Sequence, residues 1–179
     1  LDGLSWRVFD TSVAPGLGNN RVLALAEAAN GDLWVGTEHS GLSKLHNGVF
    51  WAVPNWPGSW VGAICSLEDG RLLAASESDV FEVSPSGEYR PLFASPVAGV
   101  RSLHQVRGRV YAVGLAGLLR LDGPAIEVIS NHRFVDASVA PDGALYLAGS
   151  RGLEALRGNR LEPVAAGPRE SVMSVLAAR

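Results

Sequence analysis

Short apolar runs separated by glycine-containing turns divide the chain into four similar units. In each unit one apolar run ends a few residues before a turn glycine, and a second run follows that glycine closely. The units recur at intervals of roughly 34 to 39 residues, and a period of this size is typical of repeat architectures. The turn glycines are Gly31, Gly70, Gly108 and Gly143, and the runs that follow them are centred on Trp34, Leu73, Tyr111 and Tyr146.

Two further turns complete each unit. The first is marked by a Gly-Leu pair in three units and by Asp79-Val80 in the other, and the second carries a dipeptide such as Asn47-Gly48 that suits a two-residue hairpin. Each unit therefore predicts four antiparallel strands. The predicted fold class is all-β, a β-propeller with four complete four-stranded blades in a single domain or fragment, residues 1–179. The approximate blade limits are 20–57, 58–96, 97–130 and 131–167.

The composition of the strands predicts how deeply each one lies. The first strand of a unit is apolar or small almost throughout, as in residues 22–26 and 61–65, which is typical of a strand buried on both faces. The third and fourth strands mix polar and apolar residues. We therefore expect burial to fall from the first strand of each blade to the fourth. We also expect Trp34 and its three counterparts to fill the spaces between successive blades.

The two ends of the chain predict incomplete blades. Residues 4–12 match a lone outer strand, and residues 171–178 match a lone inner strand. A shared terminal blade would then lack its middle strands. We therefore expect an open arc of a larger propeller of about six to eight blades, with its outward faces apolar or covered by another chain.

Composition excludes several classes of function. The net charge of −3 provides no basic face for nucleic acid. The chain has no apolar run long enough to span a membrane, and its one cysteine cannot form an internal disulfide. The four histidines show no metal-ligand spacing. We therefore expect no metal, no cofactor and no catalytic residues.

One face of the predicted propeller carries the candidate binding residues. The connections that enter the first strands and the turns between second and third strands share this face, which brings Trp56 and Trp60 to the same side as Glu38 and His39. Two exposed tryptophans could stack on a sugar, a planar ligand or a partner protein. The alternative is that they cap the core between blades and bind nothing.

A second candidate set consists of arginines near the mouth of the axial channel. Arg21, Arg101 and Arg133 lie at or beside the starts of three inner strands, where they would suit a carboxylate or phosphate ligand. The alternative is that they pair with neighbouring acids such as Glu38 and Asp136. Asp136 lies within an inner strand, so we expect it to face the channel or to accept backbone hydrogen bonds between blades.

Residues 20–42 resemble the two-component-regulator propeller repeat, with Asn-Gly-Asp-Leu-Trp-Val-Gly-Thr at 30–37 followed by Gly-Leu at 41–42. The fourth unit, around 140–146, is also similar to propellers of the streptogramin-lyase type. The first resemblance implies a bacterial, periplasmic or otherwise extracytoplasmic sensor domain. Its partners would be a small ligand, a protein, or the remainder of a larger propeller.

Three classes of function stay open at this point. The first is a non-catalytic recognition or sensor module that binds through its loop face. The second is a structural or assembly subunit of a larger complex. The third is a lyase or hydrolase that uses His39 and Glu38.

Overall fold

The computed structural model describes residues 7–77, 79–93, 97–122, 125–165 and 172–176. These residues form sixteen strands in four separate antiparallel sheets, and one short 3-10 helix, Pro15–Leu17, precedes the first strand. Within each sheet the strands lie side by side in chain order. The prediction of an all-β propeller with four four-stranded blades is therefore confirmed.

Each blade is a four-stranded meander whose first strand is the inner one. Blade 1 contains β1 (Val22–Glu27), β2 (Leu33–Thr37), β3 (Leu42–His46) and β4 (Val49–Ala52). Blade 2 contains β5 (Ala63–Ser66), β6 (Leu72–Ala75), β7 (Val80–Val83) and β8 (Tyr89–Pro91). Blade 3 contains β9 (Val100–Val106), β10 (Arg109–Gly114), β11 (Gly117–Arg120) and β12 (Glu127–Ser130). Blade 4 contains β13 (Phe134–Val139), β14 (Leu145–Gly149), β15 (Gly152–Arg157) and β16 (Arg160–Pro163).

The turn residues account for the tight hairpins. Asn47 and Gly48 join β3 to β4 with φ angles of 48° and 80°, the two positive values that a type I′ turn requires. Arg107 and Gly108 join β9 to β10 with φ angles of 51° and 76°. Arginine rarely adopts a positive φ, so this second turn depends on its glycine and on the strand pairing around it.

The hydrophobic core consists of clusters between successive blades. Trp34, 1% exposed, packs with Leu72, Phe81 and Val83 of blade 2. The same position in blade 2, Leu73, packs with residues of blade 3, and Tyr111 of blade 3 packs with residues of blade 4. The prediction for this repeated position is therefore confirmed at three blades. Tyr146, the fourth member, is half-buried on the side of blade 4 that faces away from blade 3.

The predicted gradient of burial is wrong for the inner strand of blade 1. Leu25 on β1 is 59% exposed, whereas Leu103 and Ala137 at the same register in blades 3 and 4 are 5% and 8% exposed. A preceding blade covers Leu103 and Ala137, and no blade of the described residues covers Leu25. The deepest strand of blade 2 is β6, every residue of which is buried. A second strand has hydrogen-bonded neighbours on both sides, so it is shielded more completely than an inner strand at the channel.

Residues 9–17 cover the outer part of the free face of blade 1. Phe9, Ala14 and Leu17 pack against Val35 and its neighbours. At Gly16 the chain passes so close to blade 1 that a Cβ atom would lie 2.1 Å from the carbonyl oxygen of Phe50. Only glycine fits this approach. Val22, Leu23 and Leu25 stay exposed on β1, as expected for the outward face of an arc.

The four blades form an arc among the described residues. Inner strands contact one another in series, β1 with β5, β5 with β9, and β9 with β13. The four sheets stay separate, so β1 and β13 do not pair within one sheet. The first and last blades are therefore not joined by hydrogen-bonded strands in the described part of the chain.

The two predicted terminal strands differ from the structure. Residues 7–10 form no strand, and the beginning of that predicted strand, 4–6, lies outside the described residues. Residues 172–176 also form no strand, but Val172 N–H donates to the Gly149 carbonyl at 3.0 Å, as Val61 N–H donates to Thr37 at 2.9 Å. This segment therefore lies where the inner strand of a following blade would begin. It lacks a strand partner among the described residues, and strand geometry requires one.

Candidate functional site

Glu38, in the turn between β2 and β3, brings together three of the residues predicted from the sequence. Its carboxylate lies 2.6 Å from Nη1 of Arg21 and 3.1 Å from Nε2 of His39. The backbone supports the contact, because Glu38 N–H donates to the Arg21 carbonyl at 3.0 Å. Glu38 is mostly shielded, whereas Arg21 and His39 are exposed. The loop face of blade 1 thus presents a guanidinium and an imidazole held by one carboxylate.

Glu77 occupies the corresponding turn of blade 2 and holds the connection that enters β5. Its Oε1 accepts hydrogen bonds from Ser59 N–H at 3.3 Å, from Ser59 Oγ at 3.1 Å and from Trp60 N–H at 3.0 Å. Trp60 lies shortly before β5, and Arg21 lies immediately before β1. Two successive blades therefore use a glutamate at the same turn to hold a residue at the entry to the inner strand.

The hydrogen bonds at Glu77 also change its acidity. Partial burial acts to raise the pKa of the Glu77 carboxyl, but hydrogen bonds from its own backbone, from Trp60 and from Ser59 outweigh burial and lower that pKa. The carboxylate is thus held in its charged form, in which it accepts hydrogen bonds from the loop most strongly.

We expect the substitution Glu77→Ala to loosen residues 59–60. Three hydrogen bonds to one carboxylate would be lost, and because water replaces part of them at this exposed site, the free energy of unfolding should fall by about 1 kcal/mol. Amide hydrogen exchange at Ser59 and Trp60 should accelerate, while exchange within β6 should be unchanged. Unaltered exchange at both amides would show that Glu77 does not hold this loop.

The two tryptophans predicted as a stacking pair have different environments. The Trp56 ring lies 5.1 Å from the ring of Phe81 and 5.0 Å from that of Tyr89, centroid to centroid. Trp56 therefore caps the core between blades 1 and 2, which was the alternative considered for it. Trp60 is half-buried against Gly62. Contact of Trp60 with a ligand stays a prediction.

The three predicted arginines differ in register and in ion pairing. Arg21 and Arg133 occupy the same register position, immediately before Val22 and Phe134, whereas Arg101 lies within the irregular step of β9. Arg21 pairs with Glu38, as the alternative had it. Arg101 and Arg133 are exposed and form no ion pair with any described residue.

Asp136 accepts a backbone hydrogen bond, which was one of the two roles predicted for it. Its Oδ2 accepts hydrogen bonds from Val175 N–H at 2.9 Å and from Ser174 Oγ at 2.7 Å. The carboxylate therefore tethers residues 172–176 to the inner strand of blade 4. A buried or half-buried carboxylate requires such partners.

The remaining polar groups give little support to catalysis or metal binding. No group of three or more metal-ligating side chains is present in the described ranges. Burial lowers the pKa of His104, opposed by the charge of Asp136, and its Nε2 lies 2.9 Å from Ser102 Oγ. Burial raises the pKa of the Cys65 thiol, which makes it a poor nucleophile at neutral pH.

The opposite face of the propeller carries a polar cluster that the sequence analysis did not identify. Asp32, 3% exposed, contacts Nδ1 of His46, accepts a hydrogen bond from Asn30 Nδ2 at 3.0 Å and lies 3.7 Å from Nζ of Lys44. Lys44 also donates to the Pro85 carbonyl at 2.9 Å, which joins blade 1 to blade 2. The hydrogen bond with His46, followed by that with Asn30, outweighs burial and lowers the pKa of Asp32.

A sequence signal for this cluster was present. Asp32 follows the turn glycine Gly31, and His46 precedes the hairpin Asn47-Gly48, so both lie at turns on the same end of blade 1. His46 has no metal-ligand spacing to the other histidines, so that pattern gave no sign of the contact. The proximity of His46 to Asp32 follows from the register of β2 and β3.

Cavities formed by the described residues also open on this opposite face. One, of about 210 Å³, lies between blades 1 and 2, and another of about 630 Å³ lies on blade 2. A third, of about 280 Å³, lies between blades 3 and 4. All three are lined by turns between first and second strands or between third and fourth strands, which are the turns away from the predicted loop face.

Comparison with known families and structures identifies similar propellers. Residues 16–39 match the family model described as two component regulator propeller. No curated protein sequence matches the chain at a significant level. No helix in the described ranges is long and apolar enough to cross a membrane.

Solved structures share the fold at low sequence identity. An extracellular domain of a protein described as a hybrid two-component system from B. thetaiotaomicron is 20% identical with a TM-score of 0.69, over 89% of this chain and 23% of that one. Virginiamycin B lyase from Staphylococcus aureus is 12% identical with a TM-score of 0.65, over 86% and 58% of the two chains. A chain of a nidogen/laminin complex is also 12% identical with a TM-score of 0.65, over 86% and 67%. The chain thus spans only part of the first two structures, and these likenesses show the fold alone.

Proposed function

We propose that this chain is a non-catalytic recognition module of an extracytoplasmic sensor protein, which binds a small ligand or a protein partner through its loop face. The observation that carries the proposal is the pair of glutamate-held rim positions, Arg21 with His39 on blade 1 and Trp60 on blade 2. The family match at residues 16–39 includes the first of them. Structural similarity to extracellular domains of proteins described as one- and two-component systems supports the same assignment.

The rim chemistry fits a ligand with an anionic or hydroxylated group and a planar face. Arg21 and His39 are hydrogen-bond donors at the surface, and the indole of Trp60 provides an apolar wall. Arg101 and Arg133, which are free of ion pairs with described residues, would add positive charge along the same rim. No described carboxylate neutralises their guanidinium groups, so both are available to an added anion.

Two other functions have specific support. Assembly within a larger complex is favoured by the similarity to a propeller in a nidogen/laminin complex. Catalysis is kept open by the similarity to virginiamycin B lyase, whose histidine-to-alanine variant is described as catalytically inactive. Such activity would depend here on His39 and Glu38. Their side chains contact each other, which places an imidazole beside a carboxylate on the loop face.

Binding at the rim is tested with nuclear magnetic resonance of the ¹⁵N-labelled chain. The probes are glucose, maltose, benzoate and inorganic phosphate. We expect at least one probe to shift the amides of residues 38–41 and 58–62, and we expect the double variant Arg21→Ala, Trp60→Ala to abolish those shifts. Absence of any shift on the loop face, or shifts that persist in the double variant, would overturn the proposal.

A further inference from the structure

Two adjoining cavities, together called the groove below, lie on the face opposite the loop rim. The cavity between blades 1 and 2 and the cavity on blade 2 share Gly70, Val83 and Pro85 in their walls. The narrow part, about 210 Å³, is lined by Trp34 and Leu72, both buried, together with the turn at residues 28–30. The wide part, about 630 Å³, has the size of a small-molecule site. The groove therefore combines an apolar slot with a larger chamber beside it.

The wide chamber has an excess of negative charge. Three carboxylates and two guanidinium groups line it. Arg71 lies 2.7 Å from Asp69 and 3.5 Å from Glu82, and Arg90 lies 3.2 Å from Glu82. Both arginines are thus already paired. Glu88 also lines the chamber and forms no ion pair with any described residue, so its charge is available to a cation.

Lys44 determines which end of the groove a cation would occupy. Its ammonium group lies near the narrow slot, 2.9 Å from the Pro85 carbonyl and 5.7 Å from the Trp34 ring. Lys44 is already paired with Asp32, and no carboxylate lines the slot, so the slot offers no unpaired negative charge to a second cation. The slot suits an uncharged apolar group, and the positive charge of a ligand belongs in the chamber beside Glu88.

An exposed tryptophan lies next to Lys44 on the outer strand of blade 1. Trp51 is 60% exposed and pairs with Lys44 in the register of β3 and β4. Lys44 in turn contacts Pro85, a residue of both cavities. An exposed indole beside a cavity can add apolar contact to a ligand, and its face attracts cations.

We propose that this groove binds an amphipathic organic cation, with an amine or guanidinium group beside Glu88 and an alkyl or aryl group in the slot above Trp34. The site is separate from the loop rim and does not depend on the function proposed for that rim. Charge complementarity with Glu88 and the apolar lining of the slot together select this ligand class over anions and over purely polar molecules.

The test compares two probes that each carry a phenyl ring on a four-carbon chain and have opposite charges. Binding of 4-phenylbutylamine and of 4-phenylbutyrate is followed by tryptophan fluorescence and by amide shifts in the ¹⁵N-labelled chain. We expect the amine to bind, with shifts at residues 28–34, 69–72 and 82–90, and the carboxylate to bind at least fivefold more weakly. Equal binding of the two probes, or no binding of the amine, would overturn the proposal.

Three variants locate the site. Glu88→Gln removes the unpaired charge, and we expect a loss of about fivefold in affinity for the amine, the upper range for an exposed ion pair. Ala29→Leu adds bulk at the slot and should weaken binding more than tenfold. Glu162→Gln, which removes a partly exposed carboxylate on blade 4, is the matched control and should bind as the unaltered chain does. Unchanged affinity in both Glu88→Gln and Ala29→Leu would show that the amine binds elsewhere.

Discussion

The substitution Trp34→Ala should lower the free energy of unfolding by about 3 to 5 kcal/mol, the usual cost of truncating a large buried aromatic side chain. Trp34 is 1% exposed and belongs to the cluster that joins blade 1 to blade 2. Its removal leaves a cavity flanked by Leu72, Phe81 and Val83. These residues lie on the paired strands β6 and β7, so they cannot shift to fill the cavity without disturbing the hydrogen bonds of blade 2. The measurement is equilibrium unfolding in urea, followed by circular dichroism.

A matched variant separates burial from the loss of a tryptophan as such. Trp51 lies two strands away in the same blade but is 60% exposed, so Trp51→Ala should change the free energy of unfolding by no more than about 0.5 kcal/mol. Trp34→Phe should fall between the two, because a phenyl ring fills most of the space. A cost below about 1 kcal/mol for Trp34→Ala would contradict the packing assigned to the repeated position.

The blades were predictable because their signals are local. Turn residues such as Asn47-Gly48 specify hairpins, and the apolar run after each turn glycine specifies a second strand. Since the signals recur four times, the register of one blade supports that of the next. The inward packing of Trp34, Leu73 and Tyr111 followed directly from that register.

The burial of the inner strands was not predictable in the same way. Leu25 and Leu103 are both leucines at the same position of a blade, yet they are 59% and 5% exposed. The difference depends on whether another blade lies in front of each residue. The sequence around each leucine does not indicate whether another blade covers it. The composition of the strands therefore predicted burial for Leu25 and Leu103 alike.

The candidate site was predicted in part for a related reason. Arg21, Glu38 and His39 meet because their positions are fixed by one strand pair, β1 and β2, and the turn that follows it. Trp56 belongs to a longer connection whose path depends on Phe81 and Tyr89 of the next blade. Whether Trp56 lies in the core therefore depends on how blade 2 packs against blade 1, which its local sequence does not specify. The groove on the opposite face depends on the spacing between blades, which no strand pattern specifies.

The substitution Asp32→Ala should be the second most destabilising change considered. Asp32 is 3% exposed and satisfies His46, Asn30 and Lys44, whose side chains would lose their common acceptor. Leaving such groups without a partner costs about 1 to 3 kcal/mol. Lys44 would also be held less firmly against the Pro85 carbonyl, so part of the loss should appear as looser contact between blades 1 and 2.

The stabilisation from Asp32 should depend on pH in a defined direction. The hydrogen bond with His46 is the largest cause of the lowered pKa of Asp32, which lies below the ordinary value of 3.8. A group whose pKa is lower in the folded than in the unfolded state binds protons more tightly when unfolded, so its stabilisation is complete above the unfolded pKa and is lost as pH falls through the folded value. We follow unfolding in urea between pH 7 and pH 3. The free energy of unfolding should differ by a constant amount between the unaltered chain and Asp32→Ala at high pH, and this difference should shrink below about pH 4.

Asp69→Ala is the control for this prediction. Asp69 also has a lowered pKa, owing first to the hydrogen bond from Arg71, but it is half-exposed to water. Its removal should change stability far less at every pH, and an equal effect of the two substitutions would show that the buried contact between Asp32 and His46 does not stabilise blade 1.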